Sequence, residues 1–572
     1  MNTPQVEITS EQINDIPLLL GIMEHMQIRQ HIDSQIEPHG NWAGISLGTI
    51  VEIWLCYLLS ERDHRLVAVR EWAEARRQTF NALLGVELRE TDLTDDRLAQ
   101  ALSQLGLERV AQAIDQRMVQ DWVTFYALPT ETVRLDSTSV SVYSAIEDGW
   151  GLIQRGHSKD HRPDLGQFKV MLSTLDPLGM PLSCAVVEGQ RADDPLYVPM
   201  YDQTVRTLGR RDVLVVGDSK MAALSTRGHI VAGGSAYLCS YCPLGQSTEL
   251  TDWMEQALMH QADWQTVTET DPKTGEIHTV AVIHEWSRSQ AWFDETSQTQ
   301  HTWTERVLVV RSEQQRQALI RKSQDRFTKL SKTLDALMQP AGRGRKRYRT
   351  RTALRAHIDR LLDAAHLTGL VEVHLTQDPA PDGSPRWRVA DFALDQTAWA
   401  AHIERLGWHI YLTNTTLSQY AAPVLLGCYR HQIFHERSFS RLKTRYLNIR
   451  PVFLRDELRL AGLTWLLCLA LRVLTLTEFR LRSALLTRQQ TLSGLNPAAR
   501  SQSTLRPTTE RVLKVFNTLT LTVVTLGVTL IRHVPELSDT QRHILALLDL
   551  PPDLYSRLAD NCCKPFLCLR ES

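Results

Sequence analysis

Thr132-Val-Arg-Leu-Asp136-Ser-Thr-Ser-Val-Ser-Val-Tyr143 is the stretch on which the fold turns. It is rich in Val and Thr, so it reads as a strand, yet an aspartate, depleted from strands, stands in its middle. Downstream, Gln167–Leu175 and Met180–Glu188 read as two further strands. They are joined by Asp176-Pro-Leu-Gly179, where Pro fixes φ and Gly permits a positive φ. Pro195–Leu208 fits a helix, and Asp212–Gly217 is a short apolar strand with Asp218 at its end.

Three strands, a helix and a fourth strand suit an antiparallel meander to which the fourth strand is added through the helix. That is the element order of an RNase H-like core, an α/β fold with a mixed five-stranded sheet. In such a sheet the first and fourth strands are neighbours, which predicts that Asp136 and Asp218 converge. Trp408-His-Ile-Tyr-Leu-Thr-Asn414 is predicted as the fifth strand, so the core occupies 131–239 and 401–480. Residues 240–400 interrupt it as an inserted α+β module. Strands are predicted at Thr279–Trp286, Val307–Arg311, Val371–Leu375 and Trp387–Leu394, and helices at Glu313–Met338 and Thr350–Ala365.

Residues 1–130 read as a separate all-α domain. Ile45–Ser60 is apolar on most faces, Val67–Leu84 is amphipathic, and Thr94-Asp-Asp-Arg97 has the form of an N-cap opening a helix over Leu98–Leu105. Residues 481–572 read as a helical C-terminal region. Leu460–Phe479 and Val515–Ile531 are apolar, but Arg472 interrupts the first and Thr and Gly the second, which also falls short of a bilayer span. Both are predicted as buried core helices, with no membrane partner. No basic, then apolar, leader is visible at the N-terminus. Cys239-x-x-Cys242 is a single CxxC, distant from Cys562, Cys563 and Cys568, which suits reduced cytoplasmic thiols better than a zinc site.

The net charge of −2 advertises no polyanion partner, but its distribution does. Residues 1–130 carry 10 Lys/Arg against 19 Asp/Glu, whereas 429–488 carry 12 against 4. Seven basic residues and no acid fall between Arg343 and Arg355, among them Arg345, Lys346 and Arg347, a pattern that predicts phosphate contacts.

Within the basic region, Tyr429-Arg-His-Gln-Ile-Phe-His-Glu436-Arg-Ser-Phe-Ser-Arg-Leu-Lys443 is helix-sized. Seven helical steps return within roughly 20° of the start, so Tyr429, Glu436 and Lys443 share one face. Glu436 is thus a third carboxylate to set beside Asp136 and Asp218. Three converging carboxylates repel unless cations neutralise them, and hard oxygen donors favour Mg²⁺, with Mn²⁺ as a substitute. Two such ions can stabilise both the attacking and the leaving oxygen of a phosphoryl transfer.

These residues resemble an insertion-sequence DDE transposase, in the branch whose third acid lies in a Tyr-x2-Arg-x3-Glu-x6-Lys signature. Tyr429, Glu436 and Lys443 match that spacing, while Gln432 stands where the branch has Arg. Val133-Arg-Leu-Asp136-Ser-Thr-Ser and Val215-Val-Gly-Asp218-Ser-Lys are similar to the first two acidic motifs. The segment His157-Ser-Lys-Asp-His-Arg-Pro-Asp164, the large insertion and Asp95-Asp96-Arg97-Leu98 also look like that branch.

The resemblance implies metal-dependent cutting at terminal inverted repeats, with Asp136, Asp218 and Glu436 as catalytic metal ligands, followed by attack of the freed 3′-hydroxyl on target DNA. It implies double-stranded DNA as partner, a homodimer cutting in trans, and a cytoplasmic, nucleoid-associated protein. DNA contacts are expected from Tyr429, Gln432, Lys443, Arg437, Arg441, Arg343, Arg345, Lys346 and Arg347. A Trp between 286 and 303 is a candidate to stack on a flipped base, and Arg70, Arg76 and Arg77 are a candidate basic face on the acidic N-terminal region. Two alternatives stay open: a catalytically impaired or domesticated DNA-binding derivative, and another RNase H-like nuclease.

Overall fold

The computed structural model describes residues 6–36, 42–143, 151–159, 162–242, 248–271, 274–339, 348–379, 385–452, 454–499, 501–526 and 529–560. The chain divides into two compact units, one of residues 1–238, 292–301 and 427–572, the other of 239–291 and 302–426.

The first unit opens not with a helix but with β1 (Val6–Gln12), which corrects the all-α expectation for 1–130. The buried carboxylate of Glu11 secures this strand by accepting from Thr79 N and Thr79 Oγ1 at 2.9 and 2.6 Å. Helices follow as far as Tyr126. In one of them, Leu47–Glu61, the Ser46 hydroxyl accepts from Thr49 N, and every residue from Leu47 to Leu59 is buried, as its apolar composition predicts.

The core sheet comprises β2 (Thr132–Val142), β3 (Gly166–Leu175), β4 (Met180–Glu188), β5 (Leu214–Gly217) and β6 (Ala236–Tyr241), in the order β4-β3-β2-β5-β6. β2, β3 and β4 pair antiparallel, and β5 joins β2 in parallel through the helix Tyr197–Leu208. The meander and its added fourth strand are therefore the RNase H-like arrangement that the sequence predicts. The fifth strand is not. β6, reached through the short helix Leu224–Ala232, takes the place assigned to Trp408–Asn414. Neighbours in sequence tend to be neighbours in a sheet, and this short crossover outcompetes one that must span the insertion.

In the second unit, apart from residues 292–301, β7 (Gln265–Thr270), β8 (Ile277–Asp294) and β9 (Thr299–Ser312) lead into the helix Glu313–Met338. The strands predicted at Thr279–Trp286 and Val307–Arg311 are segments of the much longer β8 and β9. The helix Arg351–Ala365, the pair β10 (Val371–Pro379) and β11 (Pro385–Leu394), and β12 (Trp408–Thr413) follow. β12 pairs antiparallel with β9, opposite Arg306–Arg311. Leu330, Leu334, Ile358, Leu362 and Val389 form a core of this unit.

Back in the first unit, the helix Glu457–Thr487 starts at an Asp456 cap and is long and apolar enough to span a bilayer, but 94% of its apolar window is buried inside the protein. It crosses the N-terminal helices closely. A Cβ on Gly106 would lie 1.9 Å from Leu458 O, and one on Gly462 would lie 2.0 Å from Leu102 O. This backbone-to-backbone approach packs the N-terminal helices directly against the long helix within the first unit. The C-terminal region is likewise not all helix: Val515–Ile531 contains β13 (Thr520–Leu526), followed by β14 (Thr529–His533). The run is rich in Thr and Val, whose branched side chains favour a strand, and β1 supplies its antiparallel partner.

Candidate active site

Asp136 stands mid-strand in β2. The parallel register sets Thr132 opposite Leu214 and Arg134 opposite Val216. Carried two residues further, it sets Asp218, the first residue beyond β5, opposite Asp136. Asp218 caps the turn Ser219–Ala222 by accepting from Lys220 N at 2.9 Å, and it accepts from Tyr197 Oη at 2.6 Å. The two acids sense each other. Burial, joined by repulsion from Asp218 and Asp193, lifts the Asp136 carboxyl to about 6 against the opposing pull of Lys159. Burial and the negative charges of Asp218 and Asp136 likewise hold the Tyr197 phenol well above its ordinary range.

Lys159 supplies the cation. Its Nζ donates to Ser137 O at 2.7 Å and Ser137 Oγ at 3.0 Å, and lies 3.7 Å from Asp136 Oδ1 and 3.5 Å from Asp193 Oδ2. Lys169, in buried β3, donates to Asp193 Oδ1 at 2.7 Å. Of the surrounding segment, Arg162 and Asp164 pair with each other at 2.7 Å, while Asp160 and His161 lie outside the described residues.

The Tyr429–Lys443 segment is not one regular helix. Ala422–Arg430 and Gln432–Ser440 are separated at His431, and Arg441–Arg445 closes as a π-turn. Its ends are tied to β2: Arg134 Nη2 donates to Cys428 O at 2.6 Å, and Lys443 Nζ donates to Thr138 Oγ1 at 3.2 Å. Between them Ser438 Oγ donates to Gly179 O at 2.7 Å, and His435 Nδ1 shares a hydrogen bond with Thr174 Oγ1 at 2.7 Å. The predicted turn glycine is needed twice here: Gly179 has φ +68°, and a Cβ would lie 2.7 Å from Phe434 O.

Asp136 lies midway between the two β2 anchors, and Glu436 midway between their partners on the helix. Glu436 is exposed and has no hydrogen-bond or ion-pair partner among the described residues. Nor, among those residues, are three His, Cys, Asp or Glu side chains gathered closely enough to ligate one ion. The structure thus pairs Asp136 with Asp218 and leaves Glu436 on the facing helix.

Two of the arginines expected at DNA are engaged by carboxylates within the protein. Arg441 is 3% exposed; its guanidinium is hydrogen-bonded to Glu478 and donates to Glu510 Oε1 at 2.7 Å. Arg437 donates to Glu478 at 2.7 and 3.1 Å. A buried carboxylate must be paired, and Glu478 draws Arg441 inward while the half-buried Arg437 reaches it from the surface. Lys443 turns to Thr138, and Gln432 and Tyr429 are half-buried. Arg343, Arg345, Lys346 and Arg347 lie outside the described residues. In the N-terminal region Arg70 pairs with Glu74 at 2.8 Å, and Arg76 is buried against Trp72, so no basic face forms from these two. Trp292 lies where a Cβ on Gly228 would meet it at 2.4 Å, and Trp286 packs edge-on to Trp253.

Sequence reasoning missed Tyr197, Asp193, Lys169 and the role of Lys159. A lysine inside the apolar run of β3 and the acidic pair Asp193-Asp194 were the available signals. The donor set nevertheless suits a hard divalent cation: its atoms are carboxylate oxygens, and Asp136 is held up by burial and, to a lesser degree, by repulsion from Asp218, both of which a cation relieves.

Residues 128–473 match the family described as "Transposase DDE domain", and residues 8–115 match a "Domain of unknown function (DUF4277)". No curated protein matches the chain. Among solved structures, the cryo-EM structure of the piggyBac transposase synaptic complex with hairpin DNA matches over 82% of this chain and 77% of that one, at 8% identity and a TM-score of 0.30.

Proposed function

The chain belongs to the transposase DDE domain family, and from that premise we propose that it cuts double-stranded DNA at terminal inverted repeats and joins the freed 3′ ends to target DNA. The observation that carries this reading is the β2–β5 register, which sets Asp136 opposite Asp218 at the carboxyl end of β5, between neighbouring strands of an RNase H-like sheet. Mg²⁺, or Mn²⁺ in its place, would be held by Asp136 and Asp218, with Glu436 from the facing helix, and would supply charge stabilisation at the attacked phosphorus.

The chain's own residues prepare that centre. Tyr197 fixes the Asp218 carboxylate by donating to Oδ1, which leaves its other oxygen for a ligand. Ser137 N holds Asp136 Oδ1 at 2.7 Å. Glu478 and Glu510 clamp Arg437 and Arg441, and through them seat the helix that presents Glu436. Lys443 at the end of this segment stands near the strand that carries Asp136, a suitable place to meet a phosphate of the bound DNA. Two protomers, each cutting the end held by the other, complete the proposal.

A second reading is a DNA-binding derivative without chemistry. Two observations favour it: Gln432 replaces the signature Arg, and no three potential metal ligands gather among the described residues. One experiment separates the readings. Purified protein is incubated with supercoiled plasmid carrying the inverted repeats that flank its own coding region, with and without Mg²⁺. Metal-dependent nicking at the repeat ends is expected, with loss of nicking but retained end binding in Asp136→Ala, Asp218→Ala and Glu436→Ala. Full activity in any one variant removes that residue from the proposed centre; no nicking by the unaltered protein, with binding intact, selects the second reading.

A further inference from the structure

A basic group beside Asp136 comes from a loop. Lys159 Nζ is held by two oxygens of Ser137, at 2.7 and 3.0 Å, and from there it faces Asp136 at 3.7 Å and Asp193 at 3.5 Å. Its side chain is 34% exposed, against 22% for Asp136 and 13% for Asp193, so the ammonium enters the acidic centre from the solvent side. We propose that Lys159 is a resident counter-cation: it neutralises the carboxylate centre when no metal is bound, and a divalent cation must displace it from Asp136.

This rests on the reading of Asp136 as a metal ligand. It adds a competition that the ligand set alone does not contain. A flexible ammonium and a hard divalent cation seek the same carboxylate oxygens, and both cannot occupy the space beside Asp136 without repulsion. The surroundings suit displacement. Lys169 donates to Asp193 Oδ1 at 2.7 Å and to Arg191 O at 2.5 Å, so Asp193 keeps a buried cation when Lys159 moves away. Ser137 offers Lys159 hydrogen bonds that do not involve Asp136. The lysine can therefore release one carboxylate without losing every partner. Such a device spares the free enzyme an unneutralised pair of aspartates while keeping metal affinity moderate.

The test is Mn²⁺ binding to the metal-stripped full-length protein without DNA, read as loss of the free-Mn²⁺ electron paramagnetic resonance signal. Lys159→Gln is expected to bind Mn²⁺ about tenfold more tightly than the unaltered protein, the size of effect left after solvent screening of a partly exposed charge. Lys159→Arg, which keeps the cation, stays near the unaltered affinity. Raising KCl from low salt narrows the gap between Lys159→Gln and the unaltered protein, because screening weakens the ammonium's competition. Asp136→Asn loses the tight site in either background. Equal or weaker binding by Lys159→Gln, with Asp136→Asn still abolishing the site, overturns the competition and leaves the metal reading standing. No saturable binding in any variant, or binding indifferent to Asp136→Asn, overturns the metal reading and the proposal with it.

Discussion

Arg472 donates to Asp115 Oδ1 at 2.6 Å across 357 residues of chain, and neither side chain is more than 1% exposed. Arg472 also donates to the carbonyls of Pro181 and Leu182, and Trp465 Nε1 donates to the same Asp115 oxygen at 2.9 Å. One buried pair thus joins the helix Glu108–Tyr126, the start of β4 and the helix Glu457–Thr487. Removing one partner strands the other charge. Asp115→Ala is expected to cost about 3–5 kcal/mol in urea unfolding, whereas Asp115→Leu combined with Arg472→Met recovers most of the loss. A double variant no more stable than Asp115→Ala contradicts this account.

Glu478 gathers more cations than it can release. Arg437, Arg441 and Arg482 all contact it, and Thr509 N donates to it at 3.3 Å. Glu478→Gln is expected to destabilise the protein by about 3 kcal/mol or more, because three guanidinium groups lose a buried counter-charge. Hydrogen exchange should rise first over 432–445, the segment these arginines anchor, while β2 and β3 stay protected. Uniform exchange across the first unit excludes a local anchoring role.

Tyr197 offers a finer probe of the acidic pair. Its hydroxyl donates to Asp218 at 2.6 Å from a ring that is 1% exposed. Tyr197→Phe keeps the ring and deletes the donor, so stability should fall by about 1 kcal/mol. Single-turnover nicking should slow about tenfold, since a misoriented carboxylate weakens preorganisation. Nicking at the unaltered rate limits Tyr197 to packing.

The pH dependence of stability has an identifiable contributor away from the site. Burial, offset in part by Arg29, raises the Glu52 carboxyl to about 8. The Arg29 Nε lies 3.7 Å from Glu52 Oε2, too far for a hydrogen bond. With an unfolded value near 4.5, the folded state binds the extra proton between pH 4.5 and 8. Stability therefore falls as pH rises through that window, and the favourable contribution is complete only below it. Glu52→Gln, which mimics the protonated form, should gain on the unaltered protein as pH rises from 5 to 8, by a few kcal/mol at the upper end, to an order of magnitude. Parallel stability–pH curves contradict the assignment.

Local patterns carried much of the fold. The Val/Thr run of β2, the Pro-Gly turn before β4 and the polar helix Glu313–Met338 each appear where composition and periodicity put them. Asp136 and Asp218 were legible for a further reason: an acid within a strand and another at a strand end keep their addresses once strand order is known. Glu436 was legible as a signature, yet the break at His431 and the closing π-turn of the segment that carries it were not.

Sequence by itself therefore determined the family, the antiparallel meander and the identity of the two paired aspartates, since all of these rest on residue types at short, regular spacings. Tertiary structure alone decided that β6 completes the core sheet, that β1 pairs with β13, that Arg441 points inward to Glu478, and that Lys159 enters beside Asp136. An arginine bound for solvent and one bound for a buried carboxylate have the same local signal. Only packing between distant segments, where a charge must be paired and a backbone must be close enough to touch, separates them.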